Sequence, residues 1–303
     1  MKHWGLALGV WLSLTALPSA AQITLEQLQK AELKTEKVGD GLYVLCCVGG
    51  NIAASVGADG VLIVDTGQYP ELVPRYLAAI RAVGGKRVDI AINTHFHVDH
   101  VDGNRVLGLT GTMLIAQANT RDILTHDRTV NTVVRAPTSY PPFPAEGLPM
   151  VTFTDRMQLH FNGETIDLMY TGPAHTAGDT AIIFRNHNTA ALGDVLNTAG
   201  YPFIDTENGG DLDGTIKFCE TVLGELRPGA VVIPGHGPVG TYDDLAAYIA
   251  MLKGVRAKLV ALVKKGATLE EAMAAKPTAE WDARWGNPMR IVNRGYISLT
   301  RRR

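Results

Sequence analysis

Three histidines and one aspartate fall within six consecutive residues, and this cluster constrains the chain more tightly than any other feature. The string reads His95-Phe96-His97-Val98-Asp99-His100 and directly follows an apolar segment, 88–93, that predicts a β-strand. Loops at strand ends often carry reactive groups on a rigid scaffold, so we expect these side chains to converge. Imidazole nitrogens with a carboxylate suit zinc, and iron or manganese less strongly. The string therefore predicts a metal centre.

Three residues farther along the chain are candidates for the remaining ligands. His175, Asp194 and His236 each follow a predicted strand, and a glycine lies within three residues of each one. Glycine has no Cβ and lets the backbone approach a crowded centre. Taken singly, each of these residues is typical of a turn or a surface position. Taken in this order with the histidine string, they predict one shared site with an open coordination position, which is typical of catalytic metals.

This pattern resembles that of the metallo-β-lactamase superfamily over residues from about 40 to 240. The resemblance includes a strand-end Asp65-Thr66-Gly67, the histidine string, and the three later ligands in the family's order. It implies an α/β (α+β) fold in which two mixed β-sheets flanked by helices form an αββα sandwich with the metals at one edge. These motifs are specific to the superfamily and much less specific to one reaction.

The resemblance also implies a role for each ligand. It implies two metals, with Asp194 as the bridging ligand and Asp65 as an aspartate that braces the ligand loop from outside the coordination shell. The first metal would be bound by His95, His97 and His175, and the second by Asp99, His100 and His236.

A dinuclear zinc site predicts a hydrolase. Zinc lowers the pKa of bound water from 15.7 to about 7, so hydroxide is available at neutral pH. Asp99 or Asp194 would orient that water and carry its proton. We expect two zinc ions per chain, with iron or manganese as the alternatives, and an ester, thioester, lactone or lactam as the substrate.

Other functions remain open at this point. A β-lactamase proper is one, although the zinc β-lactamases with a cysteine ligand carry that cysteine where this chain has Asp194, and a lysine near the position of Asn197. A mononuclear iron sulfur dioxygenase is another, and a non-enzymatic periplasmic metal-binding protein is the third.

The substrate pocket is predicted only in outline. Residues 128–149 contain five prolines that break any periodicity and predict a long ordered loop or lid. The side chains that we expect to line the pocket are aromatic or amide groups in this loop and in the segment after Asp194: Tyr140, Phe143, Asn197, Tyr201 and Phe203.

The N-terminal 21 residues predict a secretory signal peptide. A weakly positive start is followed by an apolar run and by small residues that end at Ala21, the expected cleavage point. An uncleaved anchor is the alternative. Residues 22–303 are then expected to form a single domain with a C-terminal helical extension from about 241, located in the periplasm or outside the cell, with no stable membrane span.

Charge and cysteine content limit the partners. The net charge of −2 gives no basic field for nucleic acid, so we expect a small-molecule substrate. The oligomeric state is left open. Three cysteines do not form a disulfide framework, although Cys219 pairing with Cys46 or Cys47 is left open beside the simpler interpretation of free thiols.

Overall fold

The computed structural model describes residues 23–301, and the predicted signal peptide lies outside them. Two β-sheets pack face to face in this region, with helices on both outer faces, as the sequence predicts. None of the helices between residues 23 and 301 combines the length and the apolar character that a membrane span requires.

The first sheet has seven strands whose order in space is their order in the chain. The first four strands run antiparallel, and the last three continue the sheet in parallel pairs. The strands are Lys34–Gly39, Leu42–Cys46, Ile52–Gly57, Gly60–Val64, Ile90–Ile92, Met113–Gln117 and Val151–Phe153.

The second sheet has six strands and is mixed in the same way. Its neighbours are antiparallel except for one central parallel pair, formed by Thr189–Ala191 and Val231–Ile233. The other strands are Arg156–Phe161, Glu164–Met169, Ala181–Phe184 and Gly240–Thr241. A separate two-stranded hairpin, Arg128–Val130 with Thr138–Tyr140, lies within the region predicted as a lid.

Apolar residues on facing strands form the layer between the sheets. Leu62 and Ile92 of the first sheet and Ile182 and Phe184 of the second belong to one fully buried cluster. Their removal from water is the main force that holds the two sheets together. The outer faces are covered by helices, of which the longest is Tyr242–Lys264.

The helices follow the local signals in the sequence where those signals are strong. The long helix begins after Thr241 with a capping box, in which Thr241 Oγ1 accepts from Asp244 N and the Asp244 carboxylate accepts from Thr241 N. The other α-helices are Leu25–Lys30, Val73–Ala82, Val98–Val101, Asn104–Leu107, Ala118–Leu124, Leu212–Glu225, Leu269–Ala274, Asp282–Trp285 and Met289–Thr300.

The cysteines of the described region form no disulfide bond. Cys219 is fully buried in the core beside the second sheet. The Sγ atoms of Cys46 and Cys47 lie 3.1 Å apart, and neither is bonded to Cys219.

Candidate metal centre

The ends of strands from both sheets bring the seven candidate ligands to one edge of the sandwich. The histidine string follows strand Ile90–Ile92 of the first sheet, and two further ligands follow the central strands of the second sheet. Asp194 comes after Thr189–Ala191, and His236 comes after Val231–Ile233. Because these last two strands are parallel, their carboxyl ends meet at the same edge.

The ligand atoms form two groups, each with its members within 4.8 Å of one another. The first group has three imidazoles and one carboxylate, and the second has two of each. The first consists of His95, His97, His175 and Asp194, and the second of Asp99, His100, Asp194 and His236. The described residues therefore contain two clusters consistent with a dinuclear metal site, with Asp194 in both.

Asp194 directs its two carboxylate oxygens to different clusters. Oδ1 lies 3.1 Å from His100 Nε2 and 3.5 Å from His236 Nε2. Oδ2 lies 3.9 Å from His175 Nε2 in the first cluster. A carboxylate placed in this way can bind one ion through each oxygen.

The histidines of the first cluster are held in one tautomer by acceptors outside it. His97 Nε2 donates to Asp205 at 2.9 Å, and His175 Nδ1 donates to the carbonyl of Phe203 at 2.6 Å, because carboxylates and carbonyls only accept. Each of these rings therefore directs its remaining lone pair inward. His97 Nδ1 and His175 Nε2 face each other at 2.9 Å, an arrangement that repels unless a proton or a metal ion stands between them.

The hydrogen-bond partners of His95 also fix its tautomer. The hydroxyl of Thr94 donates to Asp65 at 2.8 Å, so it accepts from His95 Nδ1 at 3.0 Å. His95 Nε2 is left as an acceptor, buried and without a hydrogen-bond partner among the described residues. Buried polar atoms are rarely left without a hydrogen bond, yet His100 Nε2 and Asp194 Oδ1, which lie 3.1 Å apart in the same place, form none among the described residues. These inward-facing atoms fit bound cations.

Burial and neighbouring charges shift the pKa of His95 in the first cluster and of His100 and His236 in the second cluster in opposite directions. Burial, followed by repulsion from the adjacent imidazoles, lowers the pKa of His95 and keeps it neutral, as a ligand must be. In the second cluster, burial is outweighed by carboxylates. Asp194, Asp65 and Asp99 raise the pKa of His100 well above its usual value. The same balance, with Asp194 and Asp99, raises the pKa of His236 to about 10.

Asp65 braces the histidine string from behind. It is buried and accepts from Thr94 N at 2.7 Å, from the Thr94 hydroxyl, and from His100 Nδ1 at 2.7 Å. Its φ of 65° lies in the left-handed region, which aspartate tolerates better than most residues. These hydrogen bonds place the carboxylate where it can orient the imidazole of His100.

Asp205 plays the corresponding role toward His97, and it is not among the site residues predicted from the sequence. Asp205 is fully buried, and it accepts from His97 Nε2 and from Asn208 Nδ2 at 2.7 Å. Burial alone would raise its pKa, but the hydrogen bond and charge of His97 help to lower it. No spaced motif contains Asp205, so only the folded chain reveals it.

Replacing Asp205 with alanine is expected to weaken zinc binding at the first cluster about 10- to 100-fold, because His97 then loses the acceptor that fixes its tautomer. Competition with a chromophoric chelator measures the change. Asp205→Asn retains an acceptor oxygen and should bind more tightly than the alanine variant. Wild-type affinity in Asp205→Ala would contradict this role.

Gly235, directly before His236, allows the backbone to pass close to the Asp194 carboxylate. A Cβ built on Gly235 would lie 2.0 Å from Asp194 Oδ1. Any other residue at this position would displace the carboxylate or the loop that precedes His236. The glycine beside His236 in the sequence therefore has a steric function.

A cavity of about 470 Å³ opens over the second cluster. Among the five residues that the sequence analysis assigns to a pocket, Tyr140, Asn197 and Phe203 line this cavity. The structure places Phe143 and Tyr201 in hydrophobic clusters instead, where both are buried. The cavity size is within the range of small-molecule sites.

Comparison with known proteins gives one family. The profile of the Metallo-beta-lactamase superfamily matches residues 48–236. The alpha subunit of 2,4-dinitroanisole O-demethylase from Nocardioides sp. (strain JS1661) is 28% identical over 146 residues, which cover 47% of this chain and 40% of that protein. A metallo-beta-lactamase type 2 from Bacillus sp. (strain 170) is 23% identical over 194 residues, covering 64% of this chain and 69% of that protein.

Solved structures share the fold at low identity. The DIM-1 metallo-beta-lactamase superposes with a TM-score of 0.58 at 18% identity, covering 74% of this chain and 99% of that one. A double mutant of the sec-alkyl sulfatase PisA1 gives a TM-score of 0.67 at 15% identity, covering 88% of this chain and 50% of that one. Both likenesses bear on the fold alone.

Proposed function

The chain belongs to the metallo-beta-lactamase superfamily of metal-dependent enzymes, and from this premise we propose that it is a dinuclear zinc hydrolase. The proposed substrates are small molecules with an ester, thioester, lactone or lactam bond. The observation that carries the proposal is the position of Asp194, which belongs to both ligand clusters, at the wall of a cavity of about 470 Å³.

The donor set supports zinc as the metal. Five imidazoles and two carboxylates supply the ligand atoms, and no cysteine is among them. Nitrogen and oxygen donors of this kind suit zinc, while manganese and magnesium favour sites dominated by oxygen. The first cluster would hold its ion through three histidines, and the second through His100, His236 and Asp99. Asp194 would be shared by the two ions.

When bound, the metals supply a hydroxide at neutral pH and stabilise negative charge on the attacked group. The protein supplies a proton acceptor and fixed ligands. The side chain of Asp99 is 27% exposed, more than the 16% of Asp194, and it lines the cavity. We assign to Asp99 the proton released from the nucleophile, since a carboxylate at the cavity wall can pass it to solvent. Burial lowers the pKa of His175, and the outer acceptors fix which ring nitrogens of His97 and His175 face the cluster.

The experiment that tests this proposal is a hydrolysis panel on the metal-analysed protein. The panel should span a β-lactam, a lactone, a thioester, a carboxylic ester and a phosphoester. A sec-alkyl sulfate and 2,4-dinitroanisole are added because the named relatives act on such compounds. We expect two zinc ions per chain and turnover of at least one acyl substrate, measured as product released and lost when the zinc is removed by a chelator.

Other outcomes would identify other functions. One iron per chain with oxygen consumption would replace the proposal with a sulfur dioxygenase. Two tightly bound zinc ions with no turnover across the panel would favour a non-enzymatic metal-binding protein. The complete second cluster argues against the first of these, because a mononuclear enzyme does not need it.

A further inference from the structure

Three arginines line the cavity together with the metal centre. Arg128, Arg135 and Arg290, here called the arginine wall, come from the hairpin of the predicted lid and from the last helix. Two carboxylates also line the cavity within the described residues, Asp99 and Asp194, and both are members of the ligand clusters. The arginine wall therefore has no acidic side chain of its own in this cavity.

Arg128 is the most buried member of the arginine wall, at 6% relative exposure. Its Nη1 donates to the carbonyl of Pro141 at 2.8 Å, while Nε and Nη2 have no hydrogen-bond partner among the described residues. No carboxylate of residues 23–301 forms an ion pair with it. A buried charge without a counter-charge is costly, so it usually indicates a missing partner.

Aromatic rings hold the Arg128 guanidinium in place. Its Cζ lies 5.2 Å from the ring centre of Phe143, 5.6 Å from that of Tyr140 and 5.9 Å from that of Phe96. Ring faces attract a cation but carry no net negative charge. Burial lowers the pKa of Arg128 to about 10, which leaves it charged at neutral pH. The rings thus position a positive charge that they do not neutralise.

Arg135 and Arg290 add two half-buried charges to the same cavity. Neither side chain forms a hydrogen bond or an ion pair within the described residues, and the Arg290 side chain has one aromatic contact there, with its Cζ 6.0 Å from the ring centre of Phe203. Burial, and then repulsion from Arg135, lowers the pKa of Arg290. Arg290 also lies in the first turn of helix Met289–Thr300, where the helix dipole disfavours a cation.

We propose that the arginine wall binds an oxyanion group of the substrate, such as a carboxylate, while the scissile bond faces the histidine clusters. Only the orientation of the scissile bond toward the histidine clusters rests on the proposed function; anion binding by the arginine wall does not. Arg135 and Arg290 contact the anion directly, and Arg128 adds a fixed positive field from behind. Phe203 and Tyr140, which line the same cavity, accommodate an apolar part next to the anion. The substrate class is an acyl compound with a free acidic group.

The direct test is binding of benzoate and of benzamide, its neutral counterpart, to the zinc-loaded protein by isothermal titration calorimetry. We expect benzoate to bind wild type at least about 10-fold more tightly than benzamide, and the double variant Arg135→Gln/Arg290→Gln to lose about 10- to 100-fold of its benzoate affinity. Benzamide binding should stay unchanged. The control is Arg284→Gln, which removes one positive charge from an arginine that contacts Trp285 outside the cavity.

Two results would overturn the proposal that the arginine wall binds an anion. One is equal benzoate affinity in wild type and the double variant, which would mean that the metals alone hold the anion. The other is an equal loss in Arg284→Gln, which would mean a non-specific charge effect. An Arg-dependent benzoate site in a protein that turns over nothing in the hydrolysis panel would support the arginine wall and reject the hydrolase.

Discussion

Replacing His95 with alanine is expected to lower hydrolysis at least about 10³-fold and to remove zinc from the first cluster. His95 is fully buried, and its Nε2 has no hydrogen-bond partner among residues 23–301, so it is free to bind a cation. Without that ion, the water pKa returns toward 15.7 and hydroxide is scarce at neutral pH. Metal analysis should fall from two zinc ions to one or fewer, and turnover is measured on the best panel substrate.

The matched control is His160→Ala. His160 is an exposed histidine on an outer strand, and its one side-chain hydrogen bond is a long contact to Thr165 at 3.4 Å. This variant should keep two zinc ions and full activity. Asp194→Ala should lose both ions, since Asp194 belongs to both clusters. Undiminished turnover in His95→Ala would rule out the assigned chemistry.

Asp65→Ala is expected to have the second largest effect, and on two separate quantities. Three donors lose their buried acceptor, so the free energy of unfolding should fall by about 3 kcal/mol. His100 also loses the acceptor of its Nδ1, so zinc affinity at the second cluster should fall about 10- to 100-fold. Denaturant unfolding of the metal-free protein measures the first quantity, and chelator competition measures the second.

Asp65→Asn separates the two effects. The amide keeps the size of the side chain and one acceptor oxygen, so part of the stability should return. Asp122→Asn, an exposed aspartate, is the control and should change neither quantity. If Asp65→Ala unfolded at the wild-type denaturant concentration and bound zinc equally well, Asp65 would not brace the loop.

The fold and the two ligand clusters are predicted through the family resemblance, which rests on short motifs in the sequence. The histidine string stands in six consecutive residues, and His175, Asp194 and His236 each follow a recognisable strand. Because neighbouring parallel strands end at the same edge of a sheet, residues that follow these strands lie close together. The helix after Thr241 is predicted equally well, because its capping box lies within four residues.

Features that depend on distant contacts are not predicted. Helix Leu25–Lys30 and the edge strand Lys34–Gly39 are not among the predicted elements. The helix is held against the first sheet because Arg75 donates to the carbonyls of Leu28 and Ala31. The proline-rich region forms a hairpin for a similar reason. Phe143 is buried there under Arg105, with the Arg105 Cζ 4.0 Å from its ring centre. Such tertiary contacts override local propensity.

The origin of the ligands in both sheets has a further consequence. The histidine string belongs to the loops of the first sheet, while His175, Asp194 and His236 follow strands of the second. An ion bound by ligands from both sheets cross-links the two halves of the chain, so unfolding must release it. At free zinc 100-fold above the dissociation constant, each such ion would add about 2.7 kcal/mol to the folded state. If the clusters bind metal as proposed, melting temperatures of this protein are comparable only at a stated concentration of the free metal.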